Sequence, residues 1–196
     1  LKINMRSLSL SITIIPVIAI LLDMLLYIFL LRQTTGKKLF DRFVITTIYF
    51  AFFFNVTWEI LQIPLFKGGV YAWQHILFCV LASIADVIMV LLIYFSFALI
   101  HKNALWVKTL SSKRIILLIL TGGAGAVLAE IRHLSIGTWS YAGAMPLIPV
   151  VNVGLSPVLQ FIILPILIYR LSFKMVVEKV RSISSSKRRD QNRIKD

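Results

Sequence analysis

Four of the eight acidic residues of this chain lie inside long apolar runs, where carboxyl groups are costly. They are Asp23, Glu59, Asp86 and Glu130. A charged side chain near the centre of a bilayer costs roughly 2.5–3.5 kcal/mol on insertion scales, so such residues normally face a protein interior and have partners. The four positions therefore predict a polar site inside a bundle of apolar helices.

Paired carboxyl groups in such an interior suit acid–base chemistry, because a low dielectric constant favours a protonated acid beside a charged base. The predicted catalytic residues are Glu59, Glu130, His75 and His133. One glutamate would donate a proton, and the other glutamate or a histidine would accept one. Trp58 or Trp139 could stabilise a developing cation through the face of its ring. We expect a lipophilic substrate, such as an isoprenoid, sterol-like or quinone-like molecule, and an isomerase-like or cyclase-like reaction.

The polar and small side chains recur at helical spacing within four runs. The sets are Asn55, Glu59 and Gln62; His75, Cys79, Ser83 and Asp86; Gly123, Ala126, Glu130 and His133; and Asn152, Ser156 and Gln160. Residues three or four apart share one face of a helix. Each run therefore has a predicted inward face, and the remaining Leu, Ile, Val and Phe would face lipid.

The estimated depths of these residues in the bilayer predict that the four faces surround one polar pocket, which opens toward the outer leaflet. At a rise of ~1.5 Å per residue, Glu59 and Glu130 reach similar heights, and His75 and His133 lie near the same surface. The predicted substrate-binding residues are Asn55, Gln62, Asp86, Arg132, Trp139, Tyr141, Asn152 and Gln160. Trp139 and Tyr141 also suit an aromatic belt at the membrane surface, where such residues collect.

A metal or haem site is an alternative use of the same residues. Glu130 and His133 have the i, i+3 spacing found in carboxylate di-metal bundles, but those sites need two such motifs and further glutamates. A single metal at Glu59 and His75, or haem between His75 and His133, is conceivable. We assign no metal ligand and no cofactor.

Two further alternatives involve no catalysis. The chain could bind lipid or act as a partner subunit of a membrane complex, in which case the polar faces would hold helices together. It could also relay protons from Asp86 toward Asp23. Five spans without an internal repeat do not match the usual transporter designs.

The elements that must position these residues follow from composition. The chain has 196 residues, of which 59% are hydrophobic and 15% charged, whereas a typical soluble domain has ~25% charged residues. Five apolar runs reach the ~20 residues that a helix needs to cross hydrocarbon. They are approximately 9–31, 43–65, 75–100, 114–134 and 147–172. The predicted fold is an all-α, polytopic membrane bundle over residues 1–173.

The basic residues predict the orientation of this bundle. Of the 21 Lys and Arg, 17 lie in the first loop, the third loop and the segment from Arg170 onward. Because excess Lys and Arg marks the cytoplasmic side, we predict an N-out, C-in, multi-pass protein of a bacterial inner membrane or a plasma membrane. Residues 174–196 read as a disordered basic tail that could contact anionic headgroups. This distribution of the net charge of +13 argues against a nucleic-acid partner.

Overall fold

The computed structural model describes the backbone of residues 5–193 and the side chains of residues 14–179. This part of the chain is helical apart from its loops and one short hairpin. The long helices are α1 (Met5–Gln33), α2 (Lys37–Gln62), α3 (Trp73–Ile100), α4 (Ser112–Ser135) and α5 (Leu155–Arg193). Two short 3-10 helices, Ile63–Leu65 and Trp106–Thr109, lie in loops. Strands β1 (Leu147–Ile148) and β2 (Val153–Gly154) form the hairpin.

Each of the five helices is long and apolar enough to cross a membrane. Many of their large apolar side chains are exposed, for example Leu25 at 66% and Leu128 at 69%. Exposed apolar surface on this scale would be unusual in water and is what lipid contact requires. The predicted all-helical class is therefore confirmed in its coarse form, and the helices are consistent with a membrane protein.

Helices α2, α3, α4 and α5 close into a four-helix bundle. Helix α5 packs between α2 and α4, and α2 also packs against α3. A slight contact between α3 and α4 completes the ring, and α1 lies outside it against α3 and α2. A side chain on the inward face of any of the four helices therefore points toward the same interior.

The fifth helix begins later than the sequence pattern predicts. The predicted span 147–172 includes residues 147–154, which form the hairpin with Leu147 opposite Gly154. Pro146 and Pro149 disfavour helix there, and Asn152 has a φ of 53°. Asn152 is consequently a turn residue and does not share a helical face with Ser156 and Gln160, which corrects that prediction. The other four predicted spans fall within helical segments.

The backbone after the fifth span also differs from the sequence expectation. Helix α5 continues to Arg193, although we predict a disordered tail from residue 174. No glycine or proline follows Pro165, so nothing in the backbone chemistry interrupts the helix. The side chains beyond residue 179 lie outside the described residues.

The two ends of the bundle differ in chemistry. We call the end with loops 34–36 and 101–111 the basic end, because its loops and helix termini contain most of the lysines and arginines. Trp106 is fully buried there, and its Nε1 donates to the Tyr94 backbone oxygen at 3.2 Å. Arg114 donates to the Trp106 oxygen at 2.8 Å. The other end, with loops 63–72 and 136–154, is called the aromatic end.

Helices α4 and α5 approach closely at a glycine. A Cβ atom added at Gly122 would lie 2.1 Å from the backbone oxygen of Phe161. A backbone oxygen cannot move aside as a flexible side chain could. Small residues at helix interfaces allow this kind of close approach in membranes, and here it sets the position of α4 relative to the interior.

Replacing Gly122 with alanine should force α4 and α5 apart. Overpacking of this kind typically costs about 1–3 kcal/mol, so we expect a lower unfolding temperature in detergent, measured by thermal size-exclusion chromatography. Gly125→Ala on the same helix is the matched control, because its added Cβ would meet nothing within 4 Å. Equal melting of the two variants would show that the close approach is not required.

Candidate functional site

The amide of Gln160 joins three helices in the bundle interior. Its Nε2 on α5 donates to Asn55 Oδ1 on α2 at 2.9 Å and to Asp86 Oδ2 on α3 at 3.0 Å. Gln160 and Asn55 are each only 1% exposed. The two N–H bonds of one amide are therefore both used between helices, and an amide at this position connects α2, α3 and α5.

A second glutamine extends this arrangement toward the aromatic end. Gln62 Nε2 donates to Glu59 Oε1 at 2.8 Å and reaches Gln160 Oε1 at 3.5 Å. Its Oε1 accepts a hydrogen bond from Ser156 at 2.9 Å. We call Asn55, Glu59, Gln62, Asp86, Ser156 and Gln160 the polar network.

Three carboxyl groups belong to the helices around this interior. Glu59 and Asp86 are part of the polar network, and Glu130 is buried on α4, the fourth helix of the ring. None of the three has an ion-pair partner among the side chains of residues 14–179. Each of the four bundle helices thus brings one key polar group to the same interior: Glu59, Asp86, Glu130 and Gln160.

The loop after α4 holds the carboxyl group of Glu130. Trp139 Nε1 donates to Glu130 Oε2 at 3.2 Å, and the Tyr141 hydroxyl donates to the same oxygen. Glu130 is only 6% exposed. Both donors therefore stabilise charge on one carboxylate oxygen, while Oε1 has no hydrogen bond among the described residues.

The end of α4 turns the chain back so that these two donors reach Glu130. The Thr138 N–H donates to the His133 oxygen, and the Gly137 N–H donates to the Leu134 oxygen. This is a Schellman ending, which needs a left-handed residue at its penultimate position. Gly137 has a φ of 71° and meets that requirement without a steric penalty.

A backbone contact with the loop after α2 fixes the same segment. Phe66 and Tyr141 form an antiparallel bridge. The Lys67 N–H donates to the Ser140 oxygen at 2.8 Å, and the Ala142 N–H donates to the Leu65 oxygen at 2.9 Å. The two loops of the aromatic end therefore act as one covering layer.

Aromatic rings form this layer over Glu130. His133 stacks on Trp139 with ring centroids 4.2 Å apart, and Phe66 contacts both Trp139 and Tyr141 at 6.1 and 5.7 Å. We call Phe66, His133, Trp139 and Tyr141 the aromatic cover. Burial and the hydrogen bond to Glu130 raise the pKa of the Tyr141 hydroxyl, so it remains a donor at neutral pH.

Three predicted site residues lie apart from the polar network. The His75 ring bonds to the backbone of Val70, with Nδ1 2.8 Å from the Val70 oxygen. The half-buried side chain of Arg132 makes no ion pair with Glu130. Asn152 is exposed in the hairpin turn. The other predicted residues are Glu130 itself, members of the polar network, or members of the layer of aromatic rings near Glu130, to which His133 belongs through its stacking on Trp139.

The structure places the histidines proposed for a metal or haem site in other contacts. Within the described residues, no group of three or more His, Cys, Asp or Glu side chains is placed to hold a metal ion. His133 stacks against Trp139, and His75 faces the Val70 backbone. The two rings are thus used in separate local contacts.

The positions of two aromatic residues, Phe66 and Trp58, could not be predicted from the sequence. Phe66 completes the aromatic cover, but a single aromatic residue at the end of an apolar run gives no specific signal. Trp58 is only half-buried beside the main core, and its Nε1 has no hydrogen-bond partner among the described residues. Among the described residues, Trp139 and Tyr141 are therefore the aromatic side chains that bond to a carboxyl group of the site.

Comparisons of the chain with protein-family models, with curated proteins and with solved structures gave no match. The use of the site must therefore be argued from its own geometry.

Replacing Gln160 with leucine should destabilise the bundle, because Asn55 and Asp86 would each lose a donor. An unsatisfied buried polar group costs about 1–3 kcal/mol, so the variant should melt well below the wild type in detergent. Thr57→Val is the control, since the exposed Thr57 hydroxyl bonds only to Phe53 within α2. A variant at Gln160 that melts no lower than this control would contradict the role of the amide.

Proposed function

We propose that the chain is an integral membrane enzyme that transfers protons to and from a lipophilic substrate. The observation that carries the proposal is that Glu59 and Glu130 lie on two helices of one four-helix bundle and are held by neutral donors, with no ion-pair partner among the described residues. A carboxyl group held in a low dielectric without a cation is favoured in its protonated form, and hydrogen-bond donors favour its charged form. Such a pair can supply both the acid and the base of one reaction.

The hydrogen bonds support a division of roles between the two glutamates. Two donors stabilise charge at Glu130 Oε2, whereas one donor serves Glu59 Oε1. Because Glu130 has the larger number of donors, we assign it the role of base and Glu59 the role of acid. His133 contacts this pair only through Trp139 and has no direct part in the transfer.

An allylic isomerisation fits this division of roles. Glu59 donates its proton to one carbon of a C=C bond, and the π electrons form the new C–H bond. Glu130 removes a proton from the carbon next to the resulting cation, and the electrons of that C–H bond form the relocated C=C bond. Return of the proton from Glu130 to Glu59 restores the starting state without a redox cofactor.

Access from lipid is consistent with a lipophilic substrate. Glu59 and Asp86 are only half-buried, whereas Glu130 is buried under the aromatic cover. Helices α3 and α4 make the slightest contact of the ring. A hydrocarbon chain could reach the carboxyl groups between them without crossing the aromatic end.

A non-catalytic role is the second candidate, and one observation favours it. Gln160 and Gln62 use their amide groups to join α2, α3 and α5. A network with these bonds can serve as interhelical contact alone. The chain would then bind lipid or a partner subunit without chemistry.

Solvent deuterium distinguishes the two candidates without knowledge of the substrate. Total lipid of the cells that make the protein is incubated with the purified protein in D2O, and lipids are searched by mass spectrometry for deuterium on carbon. The enzyme should label one lipid class. Glu59→Gln and Glu130→Gln should reduce labelling by about 10²-fold or more, the usual contribution of a general acid or base.

Glu178→Gln is the matched control for this experiment, because Glu178 is exposed and paired with Lys174. It should label lipid as the wild type does, and all variants should elute as folded protein. Absence of labelling by the wild type, or labelling that persists in both interior variants, would favour the non-catalytic role.

We also propose that the basic end faces the cytoplasm, on the basis of the 17 Lys and Arg residues in its loops, in the helix ends beside them and in the chain from Arg170 onward. A reporter fused after Asp196 should then read cytoplasmic. A reporter inserted at Gly143, an exposed position of the aromatic end, should read exterior. The opposite pair of readings would reverse the orientation, and the polar site would then lie toward the inner leaflet.

A further inference from the structure

An apolar groove on the outside of the bundle runs between α1 and α3. Its volume is about 510 Å³. The lining is apolar except for one arginine at the end of α1: Leu25, Leu26, Ile28, Phe29, Leu99 and Arg32. Arg32 is exposed and lies one residue before the end of α1 at the basic end. Lys102 follows α3 three residues after Leu99 and is also exposed.

A second groove between α4 and α5 repeats this chemistry at the same end. Its volume is about 300 Å³, and it is lined by Ile119, Ile162, Ile163, Ile166, Leu167 and Arg170. Gly123 faces Ile162 across the helix pair. Because the two helices are antiparallel, Arg170 lies two turns beyond Ile162 toward the start of α4. The exposed Lys113 is in the first turn of that helix.

The charges of the arginines in the two grooves are unpaired within the described part of the chain. Neither Arg32 nor Arg170 forms an ion pair with another side chain of residues 14–179. Helix ends at a bilayer surface lie at headgroup depth, where a guanidinium binds phosphate with two parallel hydrogen bonds. Each groove thus presents an apolar channel for a chain and a cation for a headgroup.

We propose that each groove binds one anionic glycerophospholipid from the leaflet at the basic end. The phosphate bonds to Arg32 in the α1–α3 groove and to Arg170 in the α4–α5 groove, with Lys102 and Lys113 adding positive charge nearby. One acyl chain lies along the apolar lining. These two sites are separate from the polar network and do not depend on the proposed enzymatic role.

Native mass spectrometry of the full chain in mild detergent tests the proposal. Delipidated protein is titrated with phosphatidylglycerol or with phosphatidylcholine of the same acyl composition. The wild type should bind two phosphatidylglycerol molecules at least about tenfold more tightly than phosphatidylcholine, because both lipids offer a phosphate but the choline cation would lie among the positive charges at the end of each groove. Equal binding of the two lipids would overturn the proposal.

Variants locate the two sites. Arg32→Gln and Arg170→Gln should each remove one tightly bound phosphatidylglycerol, and the double variant should remove both. Arg42→Gln is the matched control, because Arg42 is exposed near the same end and lines neither groove. Unchanged binding in Arg32→Gln and Arg170→Gln would place the lipids elsewhere.

A neutral substitution tests the apolar part of the site. Ile163→Trp should fill the α4–α5 groove while Arg170 keeps its charge, so one phosphatidylglycerol should be lost. Retention of both lipids would show that the arginine attracts headgroups without the groove, which contradicts a built site.

Discussion

Carboxyl and amide groups in an apolar interior need hydrogen-bond partners from the protein itself, and this constraint organises the bundle. Lipid offers no hydrogen bonds to Glu59, Asp86 or Glu130. The donors are an amide of the same helix for Glu59, an amide of α5 for Asp86, and an indole and a phenol of the following loop for Glu130. Gln160 is the central case, because its one amide nitrogen serves α2 and α3 from α5. If the helices shifted so that these hydrogen bonds were broken, the carboxyl groups would lose their donors.

The same constraint connects the loops to the bundle. Glu130 is at the end of α4, and its donors are nine and eleven residues further along the chain. The turn at Gly137 and the bridge between Phe66 and Tyr141 hold that segment in place. The aromatic cover is therefore both a structural cap and the layer that keeps water from the buried carboxyl. A change in the cover would alter the environment of Glu130 directly.

Helical periodicity made much of the interior predictable from the sequence. A helix places residues three and four apart on one face, so the spacing of Asn55, Glu59 and Gln62 identified a face that does meet Gln160. Asp86 was found in the same way. The pattern carries no information on loop conformation, which is why Asn152 was placed on a helix that begins at Leu155.

Contacts made by loops depend on turn geometry and long-range pairing. His75 was grouped with the glutamates on estimated depth alone, yet its ring bonds to Val70 five residues away. Phe66 joins Trp139 and Tyr141 only because two loops pair through their backbones. Depth and periodicity thus predicted which helices supply carboxyl groups, and the turn chemistry decided which aromatic side chains cover them.

Stability and the proposed chemistry would make opposing demands on this interior. Three carboxyl groups without ion-pair partners among the described residues weaken the fold relative to an apolar core. Functional sites commonly retain such groups at a cost in stability. A ligand that contacts the glutamates would offset part of that cost, since binding to the folded state stabilises it.

The most direct test of the central claim is a native mass spectrum of the wild type beside Glu130→Gln, both purified gently from membranes. We predict that the wild type retains a lipophilic molecule other than a phospholipid and that Glu130→Gln loses it. Identical spectra for the two proteins, with no such molecule bound to either, would contradict a substrate site at the carboxyl groups.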